Sequence, residues 1–120
     1  MNNILLVFVG GGIGTLARFG ISEIFRANFR SGFPFATLCS NIISCIILAL
    51  VIMGPLSYKA EPGIRNLLIV GICGGFSTFS TFSFETVELI RAGNMMMAVA
   101  NILINVTVCV ALIWFITRAS

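Results

Sequence analysis

Histidine is missing from this chain and charge is scarce: of 120 residues, 9% are charged, none is His, and 58% are hydrophobic. Without histidine, and with Cys39, Cys45, Cys73 and Cys109 scattered singly rather than in a C-x-x-C pair, the sequence lacks the usual donor set of a transition-metal centre or a redox thiol motif. The cysteines read as small buried hydrophobes. The seven Lys and Arg residues form no run, which excludes the basic patch of a nucleic-acid binder. Gly10-Gly-Gly12 is not a dinucleotide fingerprint, because the spacing would need glycine at Thr15 and no strand precedes it. No proton-carrying or nucleotide-using machinery is visible, and no enzymatic chemistry is expected.

Hydrophobicity is what the chain has in excess. A mean hydropathy of +1.09 leaves too little polar surface for a water-soluble globule and marks an integral membrane protein. Four apolar runs, about 4–25, 34–53, 64–90 and 95–117, are each near the ~20 residues that cross a bilayer core. They fill nearly the whole chain as one all-α transmembrane domain. The first run carries neither a basic leader nor a small-residue cleavage site, so it is expected to be retained.

The third run is the unusual one. Gly71-Ile-Cys-Gly-Gly-Phe-Ser-Thr-Phe-Ser-Thr-Phe-Ser-Phe-Glu-Thr86 interrupts apolar sequence with glycines, hydroxyls and spaced phenylalanines. This predicts a helix broken near mid-membrane at 74–78, with carbonyls and N–H groups freed there to meet an ion. A glycine kink for close helix packing is the simpler alternative. Beyond the break, helical spacing puts Phe79, Phe82, Ser83 and Thr86 on one arc, with Glu85 beside Phe82. Ring edges are partly positive and hydroxyls donate, so this face offers donors without a full charge and suits a small anion.

Other runs carry weaker signals. Gly10 and Gly14 form a small-x-x-x-small pair for close helix contact. Arg18 lies inside apolar sequence, where a guanidinium either snorkels or faces an aqueous vestibule. Pro34 suits the start of the second run. Thr37, Asn41 and Ser44 or Cys45 draw a polar line along it, with Asn41 facing a partner helix or a pore. Glu85 at a pore mouth would be odd for an anion, and a surface pairing with Arg91 or Arg18 is the simpler role. In the fourth run Asn94, Asn101, Asn105 and Cys109 share an inward stripe, and Trp114 and Phe115 fit an interfacial belt.

Orientation follows the basic residues in short loops. One side collects Arg26, Arg30 and Arg91; the other collects Lys59, Arg65 and Arg118. The counts are equal, so both orientations are expected and an antiparallel homodimer follows, the alternative being one topology set by the N-terminal amine or Arg18.

Gly11-Gly-Ile-Gly14 with Arg18, Phe33-Pro-Phe-Ala-Thr-Leu-Cys-Ser-Asn41, and Gly74-Gly-Phe-Ser-Thr-Phe-Ser-Thr-Phe-Ser-Phe-Glu85 together resemble the bacterial fluoride channels known as Fluc or CrcB. The match covers three of the four runs in order. The resemblance implies a dual-topology dimer with two antiparallel pores in the bacterial inner membrane, exporting cytoplasmic fluoride passively. It implies a central sodium ion at the dimer interface, held by backbone carbonyls at positions matching Gly74 and Ser77. It implies fluoride-pathway roles for Phe79, Phe82, Asn41, Ser80 and Ser83, with Thr37 near the dimer core and Arg18 in the vestibule. Ala36 and Ser44 stand where the family often has glycine, Ser77 where threonine is common, and Asn101, Asn105 and Cys109 where Tyr or Ser is frequent. Two rivals remain: a proton-coupled small multidrug-type exporter, which needs a carboxylate deep in the first run where only Glu23 stands, and a non-transporting packing subunit.

Overall fold

In the computed structural model, which describes residues 2–28, 32–54 and 62–118, the described chain is almost entirely helical and contains no strand. Four helical segments are long and apolar enough to cross a membrane: Asn3–Asn28, Phe35–Met53, Pro62–Arg91 and Met95–Thr117. With no water at depth, intrahelical bonding is the only way such runs satisfy their backbone, which is why apolar sequence here is helical sequence. The longest axis of the molecule is 49 Å, enough for a ~30 Å hydrocarbon core with both polar margins. Arg30 and Lys59, which enter the charge count, lie outside the described residues.

The third span is one long bent segment, not two separated half-helices. It starts as a short α-turn at Pro62–Arg65, widens into a π-helix over Asn66–Cys73, and returns to α-geometry at Gly74–Phe76. Only Ser77 (ψ 158°) and Thr78 (φ −151°, ψ 123°) are extended before the helix resumes at Phe79–Arg91. The expected interruption at 74–78 is therefore shorter than its sequence suggested. Gly74 is helical (φ −64°, ψ −36°), and Gly75 lies in the same α-turn.

Gly75, with Gly71, serves close packing, whereas a Cβ on Gly74 would meet nothing within 4 Å. The first helix lies against the 66–76 arm so closely that a Cβ on Gly71 would sit 2.8 Å from the Gly10 Cα, and one on Gly75 would sit 2.5 Å from the Gly11 carbonyl oxygen. From the other side, a Cβ on Gly14 would collide with the Ile72 carbonyl and approach the Phe76 nitrogen to 2.8 Å. Backbone is the obstacle in each case, and backbone cannot rotate away. Gly14→Ala is expected to cost about 1–3 kcal/mol through overpacking, read as a lower midpoint in denaturing detergent. Gly12→Ala, whose Cβ would meet nothing within 4 Å, is the matched control and should be close to neutral.

The second helix packs along the fourth, which also receives the Phe79–Arg91 arm. Between third and fourth spans the chain turns at Gly93 (φ 79°), where the Asn94 N–H donates to the Leu89 carbonyl at 2.9 Å and the Gly93 N–H to Ile90 at 3.0 Å. That pair of bonds closes a helix end that needs a left-handed residue, hence glycine.

Candidate functional site

Where Ser77 and Thr78 leave helical geometry, some of their polar groups find other partners. The Ser77 N–H keeps its helical partner, the Cys73 carbonyl (3.0 Å), which also accepts from the Ser77 hydroxyl (2.9 Å) and from the Ser44 hydroxyl of the second helix (2.9 Å). Thr78 caps the new helix, its Oγ1 accepting from the Thr81 N–H at 3.1 Å, as an N-cap threonine does at an ordinary helix start. The Thr78 N–H, which in an unbroken helix would bond the Gly74 carbonyl, donates instead to Asn41 Oδ1 at 2.9 Å. Arg18 Nε donates to the Gly75 carbonyl at 3.1 Å, so this half-buried cation is tied to the bend and does not snorkel away from it.

Asn41 is the first member of a hydrogen-bonded ladder. Its Nδ2 donates to Asn105 Oδ1 (3.1 Å); Asn105 Nδ2 donates to Asn101 Oδ1 (2.8 Å); Asn101 Nδ2 donates to Thr86 Oγ1 (2.9 Å); and the Thr86 hydroxyl donates to the Phe82 carbonyl (2.8 Å). The direction of the whole ladder follows from one atom. A backbone N–H can only donate, so Thr78 forces Asn41 to present oxygen to it and nitrogen to Asn105, and each amide downstream follows. The ladder binds second, third and fourth spans together, with Asn101 fully buried and Asn105 nearly so.

A cavity of about 300 Å³ opens beside this ladder, walled by Asn41, Ser77, Thr78, Phe79, Phe82 and Asn105, with Cys45 and Cys109 also on its lining. The Phe79 and Phe82 rings are tilted at 44° with centroids 5.7 Å apart, close enough to act as a pair. Phe82 is 8% exposed, whereas Phe79 stands at the open side, 77% exposed. No charged residue lines this cavity among the described residues. Two of its lining residues have donors to spare: Thr78 Oγ1 accepts from Thr81, leaving its own proton, and Asn41 Nδ2 has a second N–H beyond the one given to Asn105.

The expected site residues divide into groups. Asn41, Ser77, Phe79 and Phe82 come together here; Ser80, Ser83 and Gly74 do not line this cavity. Thr37 and Glu85 meet elsewhere, side chain against side chain. Glu85, with Glu88, borders a second cavity of about 290 Å³ reached past Gly32, Phe33 and Pro34. The surface pairing expected for Glu85 is absent: Arg91 pairs with Glu88 at 3.7 Å, and Arg18 is engaged at Gly75. The second helix buries Ser40 completely. Ser40 Oγ and Glu85 Oε1 are the buried side-chain polar atoms without a partner among the described residues. Sequence reasoning placed Asn101 and Asn105 inward but missed Thr78 and Thr86 as their terminal partners. It also set Asn94 on the inward stripe, whereas Asn94 is exposed at the helix start, donating to the Met97 sulfur at 2.9 Å.

Fold and site define a multi-pass α-helical membrane protein with an uncharged, donor-bearing cavity at the bend of its third span. The chain belongs to the CrcB family: the profile described as "CrcB-like protein, Camphor Resistance (CrcB)" matches residues 5–116. It is similar to the "Fluoride-specific ion channel FluC" of Shewanella halifaxensis (strain HAW-EB4), at 39% identity over 115 residues covering 95% of this chain and 92% of that protein. The proteins of the same name from Shewanella woodyi (strain ATCC 51908 / MS32) and Coxiella burnetii (strain CbuK_Q154) are 41% and 38% identical, covering 95% and 93% of this chain and 92% of each relative. These relatives are named as ion channels, not as enzymes.

Proposed function

We propose that this chain is a fluoride-selective passive channel that exports cytoplasmic fluoride across the bacterial inner membrane. The observation that carries the reading is the cavity at the Ser77–Thr78 departure, lined by a ring pair and by an amide and a hydroxyl with donors to spare, with no carboxylate on its wall among the described residues. The start of the Phe79–Arg91 helix adds the partial positive charge of its unbonded N–H groups. Fluoride is compact and strongly hydrated, so each donor lost from water has to be replaced along the route; chloride is larger and less strongly hydrated, so the donors favour it less. Buried, unpartnered Ser40 Oγ on the second helix supplies a further donor. With an inside-negative potential an anion gains ~2.3 kcal/mol per 100 mV on leaving, and no other energy source is required.

The functional unit in this reading is an antiparallel homodimer with two pores, consistent with the balanced basic residues. A structural sodium ion belongs to the same proposal. The Gly74 carbonyl lacks its helical donor because Thr78 bonds Asn41, Gly74 is exposed, and the space around it is open. Ser77 contributes a second carbonyl at extended backbone. Two oxygens are too few to replace a cation's water, and a two-fold-related copy would double them. Bound there, sodium would supply positive charge at the bends of both copies, while Ser44 and Arg18 hold the neighbouring carbonyls of Cys73 and Gly75.

The exporter reading is disfavoured by Glu23, which is partly exposed near the end of its helix and paired with Arg26 at 2.6 Å. Purified protein in potassium-loaded liposomes tests the proposal directly. Fluoride efflux read by electrode without a proton gradient, together with retained chloride, is expected. Proton-driven efflux of an organic cation would favour the exporter, and no flux of any solute would favour a packing subunit.

A further inference from the structure

Cys45 and Cys109 come from the second and fourth helices, 64 residues apart in sequence, yet these helices pack along one another, the two thiols adjoin, and both line the cavity of Phe79 and Phe82. Both are free and only partly buried, unlike Cys73, which is buried. Two adjoining thiols on the wall of an open cavity are a ligand pair, where each alone would be a small hydrophobe. The surroundings set which cation they would take. Among the described residues no third His, Cys, Asp or Glu joins them, so a four-coordinate zinc set cannot be assembled. Two sulfurs without a third donor suit a soft cation that accepts two-fold coordination.

We propose that Cys45 and Cys109 form a two-sulfur site for a soft thiophilic divalent cation, represented by mercury(II), whose occupancy closes the cavity. In the step, two S–H bonds break, two S–Hg bonds form and two protons pass to water, with no change in oxidation state. The product is neutral. Neutrality matters at this depth, because a net charge left in apolar surroundings is expensive. A monovalent silver ion on the same two thiolates would leave one negative charge, so mercury(II) is expected to bind more strongly. The bound ion would sit against the ring pair and Asn105, in the space through which an anion is proposed to pass; that closing effect rests on the channel reading above, whereas the binding itself does not.

The test has two independent readouts. In a Cys39→Ser, Cys73→Ser background, mercury(II) titrated into purified protein is expected to give an ultraviolet mercury–thiolate band that saturates at one ion per chain. Adding Cys45→Ser or Cys109→Ser leaves a lone thiolate that still takes mercury(II) but keeps a second ligand from solution on it, so against competing iodide the band should need orders of magnitude more mercury(II). In liposomes, mercury(II) is expected to remove most fluoride efflux from the native chain, with recovery on adding dithiothreitol, while Cys45→Ser and Cys109→Ser each lose this sensitivity relative to their own untreated rate. An undiminished band in Cys45→Ser or Cys109→Ser against the same competing iodide overturns the site. A normal band with undiminished efflux leaves the site and overturns the closure. Absence of fluoride efflux in every untreated sample overturns the channel reading, and the band still decides the thiol pair.

Discussion

Asn41→Leu is expected to lower stability by about 2–6 kcal/mol and to abolish fluoride efflux, the largest single effect of any substitution in the chain. Leucine fills nearly the same volume, so packing is not the issue. The loss is of two partners at once: the Thr78 N–H is left without an acceptor, and Asn105 Oδ1 without a donor. Each orphaned polar group costs about 1–3 kcal/mol when dry. Asn41 is only partly buried and faces the cavity, so water entering there moves the result toward the lower end. Unfolding in a denaturing detergent series gives the stability, and the liposome assay gives the flux.

A double-substitution cycle separates the ladder from a pair of independent polar contacts. Asn105→Leu alone orphans the Asn41 N–H and the Asn101 oxygen it now satisfies. Made together, Asn41→Leu and Asn105→Leu remove both partners of the shared bond, so the double variant should cost less than the sum of the singles. Strict additivity would mean that these amides are satisfied by water and that the ladder does not transmit orientation from Thr78 to Thr86.

Four membrane-length helices were legible because each is an apolar run of spanning length, and at membrane depth such a run has no structured alternative to the helix. The inward placing of Asn101 and Asn105 was legible from their four-residue spacing on one face. The form of the bend was not. Gly74 and Gly75 looked like the breaking point, since glycine is the residue that most readily leaves a helix. Their neighbours decided otherwise: the arm they occupy must approach the first helix to backbone contact, and absence of a side chain at Gly71 and Gly75 serves that approach. The departure moved to Ser77 and Thr78, whose hydroxyls bond the Cys73 carbonyl and the Thr81 N–H that the departure exposes. Nor could a one-dimensional pattern reveal that Cys45 and Cys109 touch or that Glu85 turns toward Thr37. Those are contacts between helices, and helical periodicity fixes only the face from which a side chain leaves.

Phe79→Ile is expected to reduce fluoride efflux by about an order of magnitude while leaving protomer stability within about 0.5 kcal/mol. Isoleucine keeps hydrophobic bulk but has no quadrupole, so what disappears is the partly positive ring edge offered to the anion. Because Phe79 is 77% exposed, little intraprotomer packing goes with it. Phe82→Ile should remove a comparable share of flux but also cost stability, about 1 kcal/mol or more, since that ring is 8% exposed and paired with Phe79. The asymmetry is the diagnostic part. A ring at position 79 that merely faced lipid would be replaced by isoleucine without consequence, and a Phe82 effect arising only from weakened folding would track the fraction of denatured protein. If Phe79→Ile conducts like the native chain and the Phe82→Ile loss disappears once flux is normalised to folded protein, the aromatic pair is packing and the anion takes another route.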